Sequence, residues 1–223
     1  MISKFVSSGT LVLATIFLSS NLPEQPSLRS ARLTYVQEKA ESKVSKEMLN
    51  NIRAASVSIE INEKFQGSGT LIEKDGEMYC LTAAHVIDEN CKSIRITQHG
   101  KNPITIYASL HKIDREKDYA ILKVGTGVFT SKMKFHKDKQ ELDTPIVHCG
   151  SMVGMHHTTT RGTLVGVDRK FARWKCVDQL DITAYYGSSG GGVFDHNGNY
   201  IGMIVGGVNP GIVFMVPSRE IDF

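Results

Sequence analysis

From residue 55 onward, apolar side chains recur at every second position. Val57, Ile59 and Ile61 alternate with Ser58 and Glu60. Successive side chains on a strand point to opposite faces, so this pattern specifies a half-buried strand rather than a helix. Similar short runs follow at 69–72, 78–82, 93–98, 104–110 and 119–124, which makes six strands before residue 126. Six more are expected at 145–149, 162–167, 174–177, 191–194, 200–205 and 212–216. Lys74-Asp75-Gly76 forms a turn between two runs, and Asp195-His196-Asn197-Gly198 is a strong hairpin signal. Many short strands at this spacing indicate an all-β sandwich or barrel. The Lys-rich stretch 126–142 has few strand signals and reads as a connection between two halves.

The N-terminal part differs. Lys4 precedes an apolar run from Phe5 to Leu18, and Ser19, Ser20, Asn21 and Pro23 follow. One positive charge and about 14 residues fit a secretory signal peptide over 1–20. A membrane span needs about 20 apolar residues. No clean small-x-small site follows the run, so an uncleaved membrane tether stays open beside the cleaved leader. Residues 21–43 are polar, contain Pro23 and Pro26, and read as a linker. Val44, Met48, Leu49 and Ile52 share one face at helical spacing, so a helix is expected to open the folded domain.

Composition narrows the function. The chain has 223 residues, enough for a sizeable core, with 41% hydrophobic and 22% charged residues. A net charge of +3 without a basic run gives no nucleic-acid partner. Export permits disulfides among Cys80, Cys91, Cys149 and Cys176. Three full pairings exist, and a bridge between Cys80 and Cys91 across their short loop is one element of them. No CxxC occurs, and His156-His157 with Cys149 and Met152 reads as loop chemistry rather than a metal site, so no metal or cofactor is expected.

Three strings carry chemistry: Leu81-Thr82-Ala83-Ala84-His85-Val86, Asp118 to Val124, and Gly187-Ser188-Ser189-Gly190-Gly191-Gly192. A serine hydroxyl needs a base within reach and a group that orients the base. Histidine titrates near working pH, and a buried carboxylate fixes its tautomer. Glycines around the serine let backbone N–H groups turn toward a developing oxyanion. Singly, each string has a bland reading, and Gly67-Ser68-Gly69 is expected to be an ordinary loop. Together and in this order they favour nucleophilic catalysis.

With these strings the chain resembles the trypsin-like peptidase superfamily, especially its HtrA (Deg) branch. The resemblance runs over about residues 50–220 and includes Gly67 to Ile72, Asp181-Ile182-Thr183-Ala184 and the closing Gly211 to Ser218. It implies a chymotrypsin-like fold of two six-stranded antiparallel β-barrels after an N-terminal helix. The protease domain would span 44–223, with barrel one at about 54–126 and barrel two at about 143–217. It implies a catalytic triad of His85, Asp118 and Ser189. The oxyanion loop would comprise Gly187, Ser188 and Ser189, with the N–H groups of Gly187 and Ser189 as donors. Thr183 would lie near the base of the substrate pocket. Ile204, Val205 and Gly206 would pair with the backbone of a polypeptide substrate.

Departures refine this expectation. Ser188 replaces the aspartate of members activated by N-terminal insertion, so that activation is not expected. HtrA relatives usually carry Asn at this position and Pro where this chain has Gly192. No PDZ domain is expected after the last strand. The Gly-x-Ser-x-Gly match of an α/β-hydrolase fails, because that fold needs its Asp and His on separate loops after the serine. No carboxylate stands at Thr183, so a small or medium apolar residue is expected at the cleavage site. A latent binding module and a dedicated processing protease of a virus or mobile element are the rival readings.

Overall fold

Alternation is realised as two closed six-stranded barrels in a computed structural model that describes residues 44–125, 127, 129, 133–209 and 211–223. The leader and linker expected over 1–20 and 21–43 lie outside the described residues, as do parts of the 126–142 connection. Helix α1 (Lys46–Ala55) starts where the Ser45 hydroxyl accepts the Met48 amide at 3.0 Å. Its apolar face buries Ile52 and Ala55, and Val44, Met48 and Leu49 pack beside them. Among the described residues no helix is long and apolar enough to cross a membrane.

Barrel one contains β1 (Ser56–Ile61), β2 (Lys64–Lys74), β3 (Glu77–Thr82), β4 (Ile94–Gln98), β5 (Ile104–Asp114) and β6 (Tyr119–Lys123). Its strand order is β1-β2-β3-β6-β5-β4, and pairing of β1 with β4 closes it. Barrel two contains β7 (Pro145–Met152), β8 (Met155–Phe171), β9 (Trp174–Asp181), β10 (Gly192–Asp195), β11 (Tyr200–Asn209) and β12 (Ile212–Pro217). Its order is β10-β11-β12-β9-β8-β7, closed by β10 against β7. Closure leaves few unpaired edges, which suits short strands of this kind.

The turns follow their sequence chemistry. Asp75 and Gly76 both have positive φ, at 53° and 79°, as the two-residue hairpin between β2 and β3 requires. The Asp195 carboxylate accepts the amides of Asn197 and Asn199 at 2.9 Å each. Gly198, at φ 79°, completes that hairpin.

Three expectations need correction. First, β1 is buried on both faces, Ser56 and Ser58 included, because its outer face packs on β7 and β8. Second, Gly67-Ser68-Gly69 is not a loop but lies inside β2. A Cβ at Gly67 would stand 2.8 Å from the Ser189 carbonyl oxygen, so the glycine permits close backbone approach. Third, all four cysteines are free; Cys80 and Cys149 are buried and serve as small core residues. One apolar cluster joins Leu71 and Ile121 of barrel one to Phe194 and Tyr200 of barrel two. A second cluster, including Leu164, Leu180 and Met215, belongs to barrel two alone.

Candidate active site

His85 sits in a single 3₁₀ turn (Ala84–Val86) just after β3. Asp118 precedes β6 in a left-handed conformation, φ 62°. The turn before it is tied by the Asp114 carboxylate, which accepts the amides of Glu116 and Lys117 at 3.0 and 2.8 Å. The Asp118 carbonyl accepts the Ala84 amide at 3.2 Å, and its Oδ1 accepts the His85 amide at 3.0 Å. These backbone ties place His85 Nδ1 3.0 Å from both carboxylate oxygens. An ionised carboxylate only accepts, so Nδ1 carries a proton and donates, which makes Nε2 the lone-pair nitrogen of the neutral imidazole.

The Asp118 side chain is only 1% exposed, and that of His85 is 31% exposed. Burial alone would raise the carboxyl's pKa. The hydrogen bond and charge of His85, the Trp174 indole N–H and the His85 amide together outweigh it and hold Asp118 below its ordinary value. Asp118 Oδ2 also accepts Arg173 Nη2 at 2.8 Å and Trp174 Nε1 at 2.9 Å. Neither residue was identified from the sequence, and no local pattern links them to a carboxylate on the other barrel.

Ser189 lies between β9 and β10 and is half-buried. Its carbonyl accepts the Ser68 amide at 2.8 Å, directly beside Gly67. A Cβ at Gly67 would also meet a Val86 methyl at 2.8 Å. Gly67 therefore touches both Ser189 and the residue that follows His85, which brings the two strings to one side of the molecule. Among the described residues the Ser189 hydroxyl makes no hydrogen bond.

The loop before Ser189 is held from several directions. Ser68 Oγ donates to the Gly187 carbonyl at 2.7 Å and accepts the Ser151 amide at 2.7 Å. The Tyr186 carbonyl accepts the Val153 amide at 2.7 Å. Across a planar trans peptide the next N–H points the opposite way, so the Gly187 amide faces away from Val153. The Ser188 carbonyl likewise accepts the Gly191 amide at 2.9 Å and orients the Ser189 N–H. Gly187 adopts φ 89° to make this turn. The Ser188 amide is no free donor, because it bonds the Tyr185 carbonyl at 2.9 Å, and the Ser188 hydroxyl accepts the Tyr185 amide at 3.2 Å. It shapes the loop, leaving the Gly187 and Ser189 amides without an acceptor among the described residues.

A cleft of about 420 Å³ opens beside Ser189, lined by Ala184, Tyr185, Tyr186, Ile204, Gly206 and Val213 among others. Thr183 is not part of this lining. Ile182 and Ala184 pack on the barrel-two core, and Thr183 between them is exposed. Its carbonyl instead accepts the Thr160 hydroxyl at 3.0 Å. Ile204 and Gly206 line the cleft, whereas the Val205 side chain is buried in the shared core. Strand β10 pairs with β11 only as far as Met203, and Ile204 bonds Gly190 and Gly191. Beyond that point β11 has a ladder partner on one side only, β12.

Comparison with known proteins agrees with this architecture. The family model for the trypsin-like peptidase domain matches residues 67–203, more than half of the chain. A protein of Bartonella henselae named "Probable periplasmic serine endoprotease DegP-like" is 31% identical over 160 residues, covering 68% of this chain and 31% of that protein. A Haemophilus influenzae protein named "Probable periplasmic serine protease do/HhoA-like" is 29% identical over 164 residues, covering 69% and 34%. The chain thus spans about a third of the length of these relatives. Among solved structures, the HtrA-type protease AlgW with a tripeptide superposes with a TM-score of 0.67 at 22% identity, covering 77% of this chain and 60% of that one. The inactive form of Rv3671c from M. tuberculosis H37Rv gives 0.65 at 20%, covering 79% and 87%. Two closed barrels carrying the three strings, together with the match to the family model, make this chain a member of the trypsin-like peptidase domain family.

Proposed function

We propose that the protein is a serine endopeptidase acting on polypeptide substrates. Ser189 attacks the scissile carbonyl, and His85 takes its proton and delivers it to the leaving amine. Asp118 orients the imidazole and stabilises its charged form. The Gly187 and Ser189 amides receive the oxyanion. The observation that carries this reading is the His85–Asp118 pair with its buried carboxylate, together with β2, where Gly67 stands beside Val86, the neighbour of His85, and Ser68 binds the Ser189 carbonyl. The bond from Nε2 to the serine hydroxyl closes as substrate binds, as catalytic hydrogen bonds commonly do.

The cleft supports the substrate class. Its lining includes Ala184, Ile204 and Val213 and, among the described residues, no charged side chain, which suits a small or medium apolar residue before the cut. The unpaired side of β11 after Ile204 suits an added substrate strand. The leader expected over residues 1–20, whether cleaved or kept as a tether, and the periplasmic relatives support action outside the cytoplasm on exported or unfolded proteins.

The test is phosphonate labelling and cleavage of an unfolded protein by the purified chain, with Ser189→Ala as control. Wild type is expected to label at Ser189 and cleave, and the variant to lose about 10⁶ in kcat. A wild type that neither labels nor cleaves defeats the proposal and favours a non-catalytic binding role.

A further inference from the structure

Resting on the peptidase reading, we propose that Arg173 and Trp174 are positioning residues for the catalytic pair. On this proposal they lock the Asp118 carboxylate from the opposite barrel, and the Trp174 ring couples that lock to the substrate cleft. Asp118 belongs to barrel one, whereas Arg173 and Trp174 stand at the tip of the β8–β9 hairpin of barrel two. A carboxylate has about four acceptor sites. Here four donors converge on it: the His85 amide, His85 Nδ1, Arg173 Nη2 and Trp174 Nε1. Half of this set is supplied by the hairpin tip.

The tip is built to hold these two side chains still. Ala172 turns the chain at φ 49°, and Phe171 pairs with Trp174 across the turn. The Phe171 ring stacks on Phe214 at 4.3 Å, Trp174 leans on Phe214 at 6.2 Å, and the Arg173 guanidinium lies 5.4 Å from the centre of the Trp174 ring. Exposed ion pairs contribute little, and Arg173 is 56% exposed. Its partner is not exposed, so removing the donor leaves a buried anionic oxygen underbonded.

The same indole packs against Gly206, a residue of the cleft. A Cβ at Gly206 would lie 2.8 Å from Trp174 Cη2, so the ring occupies the space that a side chain at 206 would take. Gly206 lines the cleft at the start of the unpaired side of β11. A substrate strand laid along that edge presses on the neighbour of the group that holds Asp118.

The experiment uses the full chain and the variants Arg173→Gln, Arg173→Lys and Trp174→Phe, with circular dichroism as the folding control. Phosphonate labelling of wild type comes first; failure there removes the peptidase reading itself. With wild type active, Trp174→Phe is expected to lose about tenfold in kcat, because the N–H that holds Asp118 goes, and to raise KM, because the Cη2 edge beside Gly206 goes with it. Arg173→Gln is expected to move the acidic limb of kcat/KM to higher pH, because the imidazolium loses a neighbouring like charge. Arg173→Lys is expected to restore that limb. The chain has one tryptophan, so wild-type emission is expected to change across the same limb without any substitution. Folded variants with wild-type kcat and an unmoved limb would overturn the proposal. So would tryptophan emission that stays constant across the limb of active wild type, even if a variant fails to fold.

Discussion

The Ser68 hydroxyl is buried, donating to the Gly187 carbonyl and accepting the Ser151 amide. Ser68→Ala leaves both partners without their bond. It is expected to cost about 2 kcal/mol of stability, read from urea midpoints, and to lower kcat by loosening the oxyanion loop. Wild-type kcat with a lowered midpoint would make Ser68 structural only. His148 lies behind the same loop, its Nδ1 3.1 Å from the Gly192 carbonyl and its Nε2 without a partner among the described residues. Burial, partly offset by that carbonyl, pushes its pKa down to about 4. Because the folded value is lower than the unfolded one, the full contribution to stability is present above about pH 6.5. It is lost progressively as pH falls from there through about 4. The urea midpoint is therefore expected to drop over that window, and less steeply in His148→Gln. Identical slopes would refute this assignment.

At the scale of elements, β2 and β8 show what local pattern misses. Residues 64–68 looked unlike a strand because glycine has poor strand propensity, yet β2 runs from Lys64 through them. Gly67 is required by the Ser189 carbonyl of the other barrel, which no local signal reports. Gly67→Ala is expected to push its Cβ against the Ser189 carbonyl and the Val86 methyl groups. Phosphonate labelling is expected to slow at least about tenfold, which corresponds to about 1.4 kcal/mol at the barrier. Unchanged labelling would show that β2 can retreat without moving the serine. Strand β8 extends from Met155 to Phe171, well beyond the expected 162–167. Its early residues, among them His156, His157 and Thr158, lack a clear apolar period because much of that stretch is only partly buried. That end of β8 also brings the His156 ring 3.4 Å from His99, which follows β4 of the other barrel.

Across the whole molecule, the barrels are joined by noncovalent contacts: a shared apolar cluster, the Ser68 bonds and the Arg173–Trp174 grip on Asp118. None of the four cysteines is paired, and burial pushes the Cys80 thiol up to about 12. Without reductant, Ellman titration of the denatured chain is expected to find four thiols. In the native protein the half-buried Cys91 and Cys176 are expected to react before Cys80 and Cys149. Fewer than four thiols would mean that a bridge forms in solution. By itself the sequence determined the number and rough placement of the strands, the hairpin turns, the opening helix and the strings around His85, Asp118 and Ser189. Each of these depends on near neighbours: side-chain alternation, turn residues that tolerate positive φ, and short motifs. Only the tertiary structure decided that Ser68 sits in a strand, that Thr183 is not in the cleft lining, and that Arg173 and Trp174 hold Asp118. Those outcomes depend on which backbones meet when two barrels close and pack, and residues far apart in the chain carry no local mark of that meeting.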